Sequence, residues 1–218
     1  MVIWDKIDPK KTRKVLHGID HKTFEPIPSI KRKKNQLITT ASADVPLKGL
    51  IYLIRAYSEL LNEFPDLSLV VIGKLRDGPT SNELDKKDIK NKVKFISNLT
   101  SREIAELYAE STIAISPSVY EGFGFPAGEA MSCGIPLIST NGGSLPEVVG
   151  DSGIIVPHSN PNELRKAIKE LLLSPEKRKK LGEKGRKRVL EKFTWKRAAK
   201  ELVEVYREAI SNADNRSR

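Results

Sequence analysis

Apolar residues fall in short continuous runs along most of this chain, and a stretch with helical spacing follows nearly every run. Residues 37–40 read as a first strand. Residues 49–64 then carry Leu50, Leu53, Ile54, Tyr57, Leu60 and Leu61 on one helical face, and Pro65 with Asp66 stops the helix. Residues 67–72 form a second apolar run that Gly73 ends. The polar stretch 74–91, with Gly78 and Pro79, predicts an excursion loop holding a short helical piece. Val93, Phe95 and Ile96 mark a third strand. Thr100 and Glu103 make a capping box that opens a helix through Ala109. A strand at 112–116, a helix from Pro126 to about Met131 and a strand at 136–139 follow. After Gly142 and Gly143 come a helical turn at 146–149 and a last strand at 153–156.

Three helices are predicted to close the chain. Asn160 caps the first and Pro161 is its first residue; it runs to Leu173. Ser174 and Pro175 open the second, and Thr194 caps a third that reaches about Ile210. Residues 212–218 read as a polar, frayed tail. The first 35 residues, with Pro9, Pro26, Pro28 and a charged block, read as a connector outside the core. Strands of four to six apolar residues, each followed by a helix, predict an α/β domain: a doubly wound, mostly parallel, Rossmann-like sheet.

The candidate chemistry lies in 116–150, SPSVYEGFGFPAGEAMSCGIPLISTNGGSLPEVVG. Two carboxylates, Glu121 and Glu129, flank a loop containing Gly122, Gly124 and Gly128. Glycines let backbone approach a ligand, and a helix opening at Pro126 offers free N–H groups and partial positive charge to a phosphate. Carboxylates accept hydrogen bonds from hydroxyls. Together these features suit a diphosphate joined to a polyhydroxylated group. The turn at Gly142 and Gly143 reads as a second backbone cradle on the same edge of the sheet, the carboxyl ends of the strands. For Glu129, macrodipole stabilisation in a first turn competes with a ribose contact. GFGFPA also matches the dinucleotide pattern, but no acid lies about 20 residues further on for an adenosine ribose, so a nicotinamide cofactor is disfavoured.

Composition narrows the class. The chain has 218 residues and no apolar run of the roughly 18–20 a membrane helix needs. A single cysteine, Cys133, excludes an internal disulfide, and with three histidines it makes a zinc site improbable; a cytoplasmic setting follows. The net charge of +10 fits solvated helix faces, attraction to an anionic membrane surface or an anionic substrate. Nucleic acid is disfavoured, because the clusters at 31–34, 177–180 and 184–188 have no interleaved aromatics.

The string EGFGFPAGEAMSCGIPLISTNGGSLPEVVGDSGIIVP resembles the donor-binding half of the GT-B glycosyltransferases of family 4, which carry two glutamates spaced as Glu121 and Glu129 are. VLHGIDHKTFEP at 15–26 is similar to that family's interdomain junction. PLKGL, VVIG, VKFISNLTSREIAELYAES and a closing FTWKRAAKELVEVYREA follow in family order, so the likeness spans about residues 10–210. The resemblance implies 1–35 as junction, 36–193 as nucleotide-sugar domain, 194–210 as closing helix and 211–218 as tail. It implies retaining, metal-independent transfer from a nucleotide-diphosphate sugar, weakly favouring a UDP-sugar, toward a glycoconjugate or polysaccharide. By resemblance, Glu121 contacts donor-sugar hydroxyls, and Gly122, Phe123 and Gly124 give N–H groups to sugar and diphosphate. Glu129 binds the ribose, Lys48 faces the diphosphate, Ser97, Asn98 and Leu99 lie near the base, and Gly73 keeps its loop clear. No separate cofactor and no metal are implied.

Two departures from the family pattern stand out. Ser42 and Ala43 occupy the place of a usual Gly-Arg pair, unless Lys74 or Arg76 supplies the second cation. The family's N-terminal, acceptor-binding domain has no counterpart in these residues, so the acceptor is assigned to that domain or to a partner subunit. The alternative is a nucleotide or nucleotide-sugar binding module without transfer activity. Cys133, Trp4 and Trp195 read as packing residues, and His21 and His158 as surface residues. One of Phe123 and Phe125 is expected to fill core, and the other to close over the ligand.

Overall fold

The computed structural model describes residues 11–41 and 45–214. Six strands, β1 (Gln36–Thr40), β2 (Ser68–Ile72), β3 (Val93–Ile96), β4 (Ile113–Ser116), β5 (Leu137–Thr140) and β6 (Ile154–Val156), pair in the order β3-β2-β1-β4-β5-β6. Every pairing is parallel. The chain builds outward from β1 to β3, returns to the other side of β1 as β4, and builds outward again. The crevice between β1 and β4 is therefore the point where strand order reverses, and open sheets of this kind bind ligands there.

Residues that alternate along each strand feed two separate cores. Leu37, Leu69, Val71, Ile113 and Ile115 face one side, where α1 (Leu50–Leu60) and α6 (Pro161–Leu173) cover them. Ile38, Val70, Ile72, Ala114 and Leu137 face the other, under α3 (Ser101–Glu110), α4 (Phe125–Ser132), α5 (Leu145–Val149) and α7 (Pro175–Lys192). The capping box of α3 forms as the sequence predicts: Thr100 Oγ1 accepts from the Glu103 backbone, and the Glu103 carboxylate accepts from the Thr100 N–H at 2.7 Å. Asn160 caps α6 through Glu163 N, and Thr194 caps the last helix through Arg197 N.

The polar stretch after Gly73 holds the expected short helical piece, α2 (Pro79–Lys86), started by Pro79. Two other readings change. The last helix, α8 (Trp195–Asp214), continues past Ile210 and takes in residues assigned to the tail. Residues 11–35 are more than a connector. Ile19 and Phe24 are buried in the second core, and Ile19 N donates to Phe193 O at 2.7 Å. This strap is pinned by long-range contacts, which local composition cannot reveal. Trp4, Pro9, Ser42 and Ala43 lie outside the described residues. Among the described residues, no helix is long and apolar enough to cross a membrane.

Candidate functional site

The carboxyl ends of β1 and β4 carry the candidate site. After β1, a short 3-10 turn, Pro46–Lys48, is closed by Gly49 at φ 64°. Gly49 has no room for a side chain, because a Cβ would strike the Pro117 carbonyl. That close approach brings Lys48 to the loop after β4, where Val119 N donates to Leu47 O at 2.8 Å. Lys48 Nζ then donates to Glu121 Oε1 at 2.7 Å, and Ser118 Oγ donates to the same oxygen at 2.8 Å. Ser118 is buried, and the Lys48 and Glu121 side chains are only 27% and 13% exposed. Among the described residues, Oε2 of Glu121 has no partner.

The backbone beyond Glu121 is open to a ligand. Among the described residues, the N–H groups of Gly122, Phe123 and Gly124 donate to no protein acceptor. A Cβ placed on Gly122 would meet nothing within 4 Å. Gly124, at φ 92°, is the N-cap residue of α4 and gives it no side-chain cap, so the positive end of that helix faces the loop. Lys48, the free N–H groups and the helix end supply positive charge, while Glu121 offers one free carboxylate oxygen.

One glycine reading is corrected, and a packing role is added to another. Gly128 is buried inside α4, where a Cβ would lie 2.7 Å from Ile19 Cδ1; it serves packing of the strap and not ligand approach. Gly142 and Gly143 lock two loops together. A Cβ on Gly142 would sit 2.5 Å from Val119 O, and one on Gly143 would strike Glu121 O. Ser144 donates to Glu121 O through both its N–H, at 3.0 Å, and its hydroxyl, at 3.1 Å. The Thr140 hydroxyl donates to Ser118 O. This second turn holds the Glu121 loop in place. Ser118 and Thr140 escaped the sequence reading; the available signal was short hydroxyl residues just past strand ends.

Glu129 is the fifth residue of α4, past the first turn where it was expected, because the helix begins at Phe125; it is half-buried, and its carboxylate makes no hydrogen bond or ion pair with the described residues. Burial pushes its pKa up from an ordinary 4.5 to about 7. Its carboxyl is close enough to the buried Tyr108 to raise that phenol's pKa further, beyond the larger effect of burial. Tyr108 OH is fixed by Thr40 Oγ1 at 3.0 Å and by Pro126 O at 3.3 Å. A carboxylate left unpaired at this depth does nothing for stability, which weighs against simple helix-dipole stabilisation.

The remaining predicted residues stand further off. Gly73 ends β2 and its N–H donates to Ile96 O at 2.7 Å; Ser97, Asn98 and Leu99 follow β3. They share the ligand edge, but with strands about 4.8 Å apart, the end of β3 lies roughly 10 Å from β1. None of them hydrogen-bonds to the Lys48–Glu121 pair. Lys74 and Arg76 are exposed after β2 and make no ion pair among the described residues. Phe123 packs on the core and on Phe193, while Phe125 is 41% exposed. His17 stacks against both rings, at 5.1 and 5.6 Å. Cys133 is buried and its thiol pKa is pushed up to about 12, as suits a packing residue. Trp195 lies against Gly18 yet remains 53% exposed.

The family model for glycosyl transferases group 1 matches residues 22–188, which contain the switch-point crevice and both glutamates. The chain belongs to that family. This group 1 domain is 39% identical over 209 residues to the MMP alpha-(1->4)-mannosyltransferase of Mycolicibacterium hassiacum, covering 94% of the chain and 50% of that protein. It spans about half the length of the curated relatives it matches. Solved GT-B glycosyltransferases share its fold. Sucrose-phosphate synthase from Thermosynechococcus elongatus superposes with a TM-score of 0.81 at 25% identity, over 92% of this chain and 53% of that one. An Anabaena protein, HepE, crystallised with UDP and glucose, superposes with a TM-score of 0.82 at 20% identity, over 94% and 59%.

Proposed function

We propose that this group 1 domain binds a nucleotide-diphosphate sugar for retaining, metal-independent transfer of a hexosyl group, as in the family 4 enzymes. The observation that carries this reading is the Lys48–Glu121–Ser118 cluster beside three free backbone N–H groups at the β1–β4 switch point. A diphosphate bound there would take Lys48 from Glu121 and add the N–H groups of Gly122–Gly124. When the glycosidic bond breaks, the departing nucleotide gains negative charge, which a fixed cation and a helix N-terminus stabilise without a metal. Glu121 Oε2 would accept a sugar hydroxyl, and Glu129 would accept the ribose diol. Gly73 and residues 97–99, further along the edge, would flank the base. Uridine is favoured by the UDP in the Anabaena structure. The acceptor would be held by an N-terminal domain or partner subunit, joined through residues 1–35, in the cytoplasm and close to a membrane. α8 would close that assembly.

Titration calorimetry with UDP, GDP and ADP tests the site. Micromolar to millimolar binding of one nucleotide is expected, and no binding of any would sink the assignment. Glu129→Ala should weaken UDP binding, and Glu121→Ala should weaken UDP-sugar binding more than UDP, each by about 1.5–3 kcal/mol. A non-catalytic binding module is the second reading, favoured by Ser42 and Ala43 standing where the family usually has Gly-Arg. It predicts nucleotide binding with no turnover when an acceptor-binding half is supplied.

A further inference from the structure

A second positively charged feature lies away from the donor edge. A groove of about 820 Å³ runs along α7, lined by Arg32, Arg178, Lys179, Arg186 and Lys187. Gly134, in its lining, comes just before β5, and Arg178 reaches the last carbonyls of α6. The groove is thus at the amino-terminal end of the sheet, remote from Lys48 and Glu121.

Its arginines cap helix ends. Arg178 Nη1 donates to Leu172 O at 2.8 Å, Arg186 Nη1 to Ser132 O at 2.8 Å, and Arg32 Nη2 to Gly134 O at 3.1 Å. Capping accounts for one nitrogen of each guanidinium and fixes its position. Among the described residues, the other nitrogens have no protein acceptor, and none of Arg32, Arg178, Lys179 or Arg186 forms an ion pair with a carboxylate. Arg178 lies near enough to Arg32 to make its charge less favourable, beyond the larger cost of burial. Glu183 and Glu191 also line the groove, and Glu191 lies 3.9 Å from Lys187; Glu25 stands near Arg186. Five cations against two lining carboxylates leave an excess of positive charge. α7 as a whole carries nine Lys or Arg and three Glu.

The walls are apolar: Pro26, Pro175 and Leu190, the last 44% exposed. Fixed guanidinium forks suit phosphate, and an apolar rim beside a polybasic helix suits a bilayer interface. We propose that this groove receives the phosphate headgroup of an anionic lipid, docking the domain on a membrane through α7 with its donor site directed elsewhere.

Vesicle co-sedimentation tests this, comparing pure phosphatidylcholine with vesicles containing about one third phosphatidylglycerol. Binding is expected only to the anionic vesicles. Arg32→Gln with Lys179→Gln should lower it by roughly tenfold or more. A control pair of equal charge change, Lys86→Gln with Lys87→Gln at the exposed C-terminal end of α2, should lower it much less. Unchanged melting and UDP affinity in both pairs separate a folding fault, or failure of the donor reading, from failure of the groove. No binding to anionic vesicles, or equal losses in the two pairs, would overturn the proposal. Saturable binding of inorganic phosphate without vesicle binding would also overturn the lipid assignment.

Discussion

On the proposed reading, Glu129 pits stability against binding within one carboxyl group. An unfolded chain releases its proton near 4.5, and the folded chain releases it near 7. Between those values the folded state holds a proton that the unfolded state has lost. Its contribution to stability therefore declines as pH rises from about 4.5 to 7 and stays low above that. Glu129→Gln removes the charge and its burial cost. The variant should be more stable than the parent at pH 8, by about 1–3 kcal/mol, with the advantage fading toward pH 4.5. If the deprotonated carboxylate accepts a ribose diol, UDP affinity of the parent should rise across pH 7, and that of the variant should be weak and flat. Melting curves and calorimetry at matched pH separate the two effects. A variant that is both less stable and equally able to bind would remove Glu129 from the site. Ser118 works through its neighbour: Ser118→Ala should free the Glu121 carboxylate and cost UDP-sugar about 1 kcal/mol of affinity. Affinity for UDP alone should hold, and Ser118→Thr should restore the loss.

The loops show which part of the site was legible in sequence. Strands β1 to β6 announce themselves as apolar runs, because a parallel strand covered on both faces needs little polar alternation. Their position after β4 predicts Glu121 and Gly122–Gly124 at the carboxyl ends of the strands, and the structure has them there. The glycines were not separable by sequence. Gly122 faces open space, Gly128 admits Ile19, and Gly143 admits a neighbouring carbonyl, yet a string of letters gives each the same conformational freedom. Substitution separates them. Gly143→Ala meets both a positive φ of 60° and the Glu121 carbonyl, and should lose at least about 1–2 kcal/mol of stability. Gly122→Ala has space and an ordinary φ, so its melting temperature should hold; its UDP-sugar affinity should fall, since the added methyl occupies the ligand side. Equal melting temperatures for the two variants would contradict the lock between the 118–121 and 142–144 loops.

At the scale of the whole molecule, the strap of residues 11–35 joins elements far apart in sequence, and one arginine holds much of it. Arg186 Nη1 lies 3.0 Å from His21 O, 2.9 Å from Phe24 O and 2.8 Å from Ser132 O, so α7 gathers the strap and the end of α4 around one guanidinium. Ile19 and Phe24 then complete a core whose sheet side is Ile38, Val70 and Ala114. Nothing local at residues 19–24 marks them as core; their burial depends on Arg186 and on Phe193, more than 160 positions away. Arg186→Leu keeps the aliphatic bulk and removes every one of these hydrogen bonds. The carbonyls it leaves are only partly reachable by water, so a loss of about 2–4 kcal/mol is expected. The loss should also be local. Hydrogen exchange should quicken at Ile19 N, bonded to Phe193 O, and at Phe24 N, bonded to Asp20 O, while amides between β1 and β2 keep their protection. Uniform loss of protection across strap and sheet would instead make the strap an inseparable part of the folding unit.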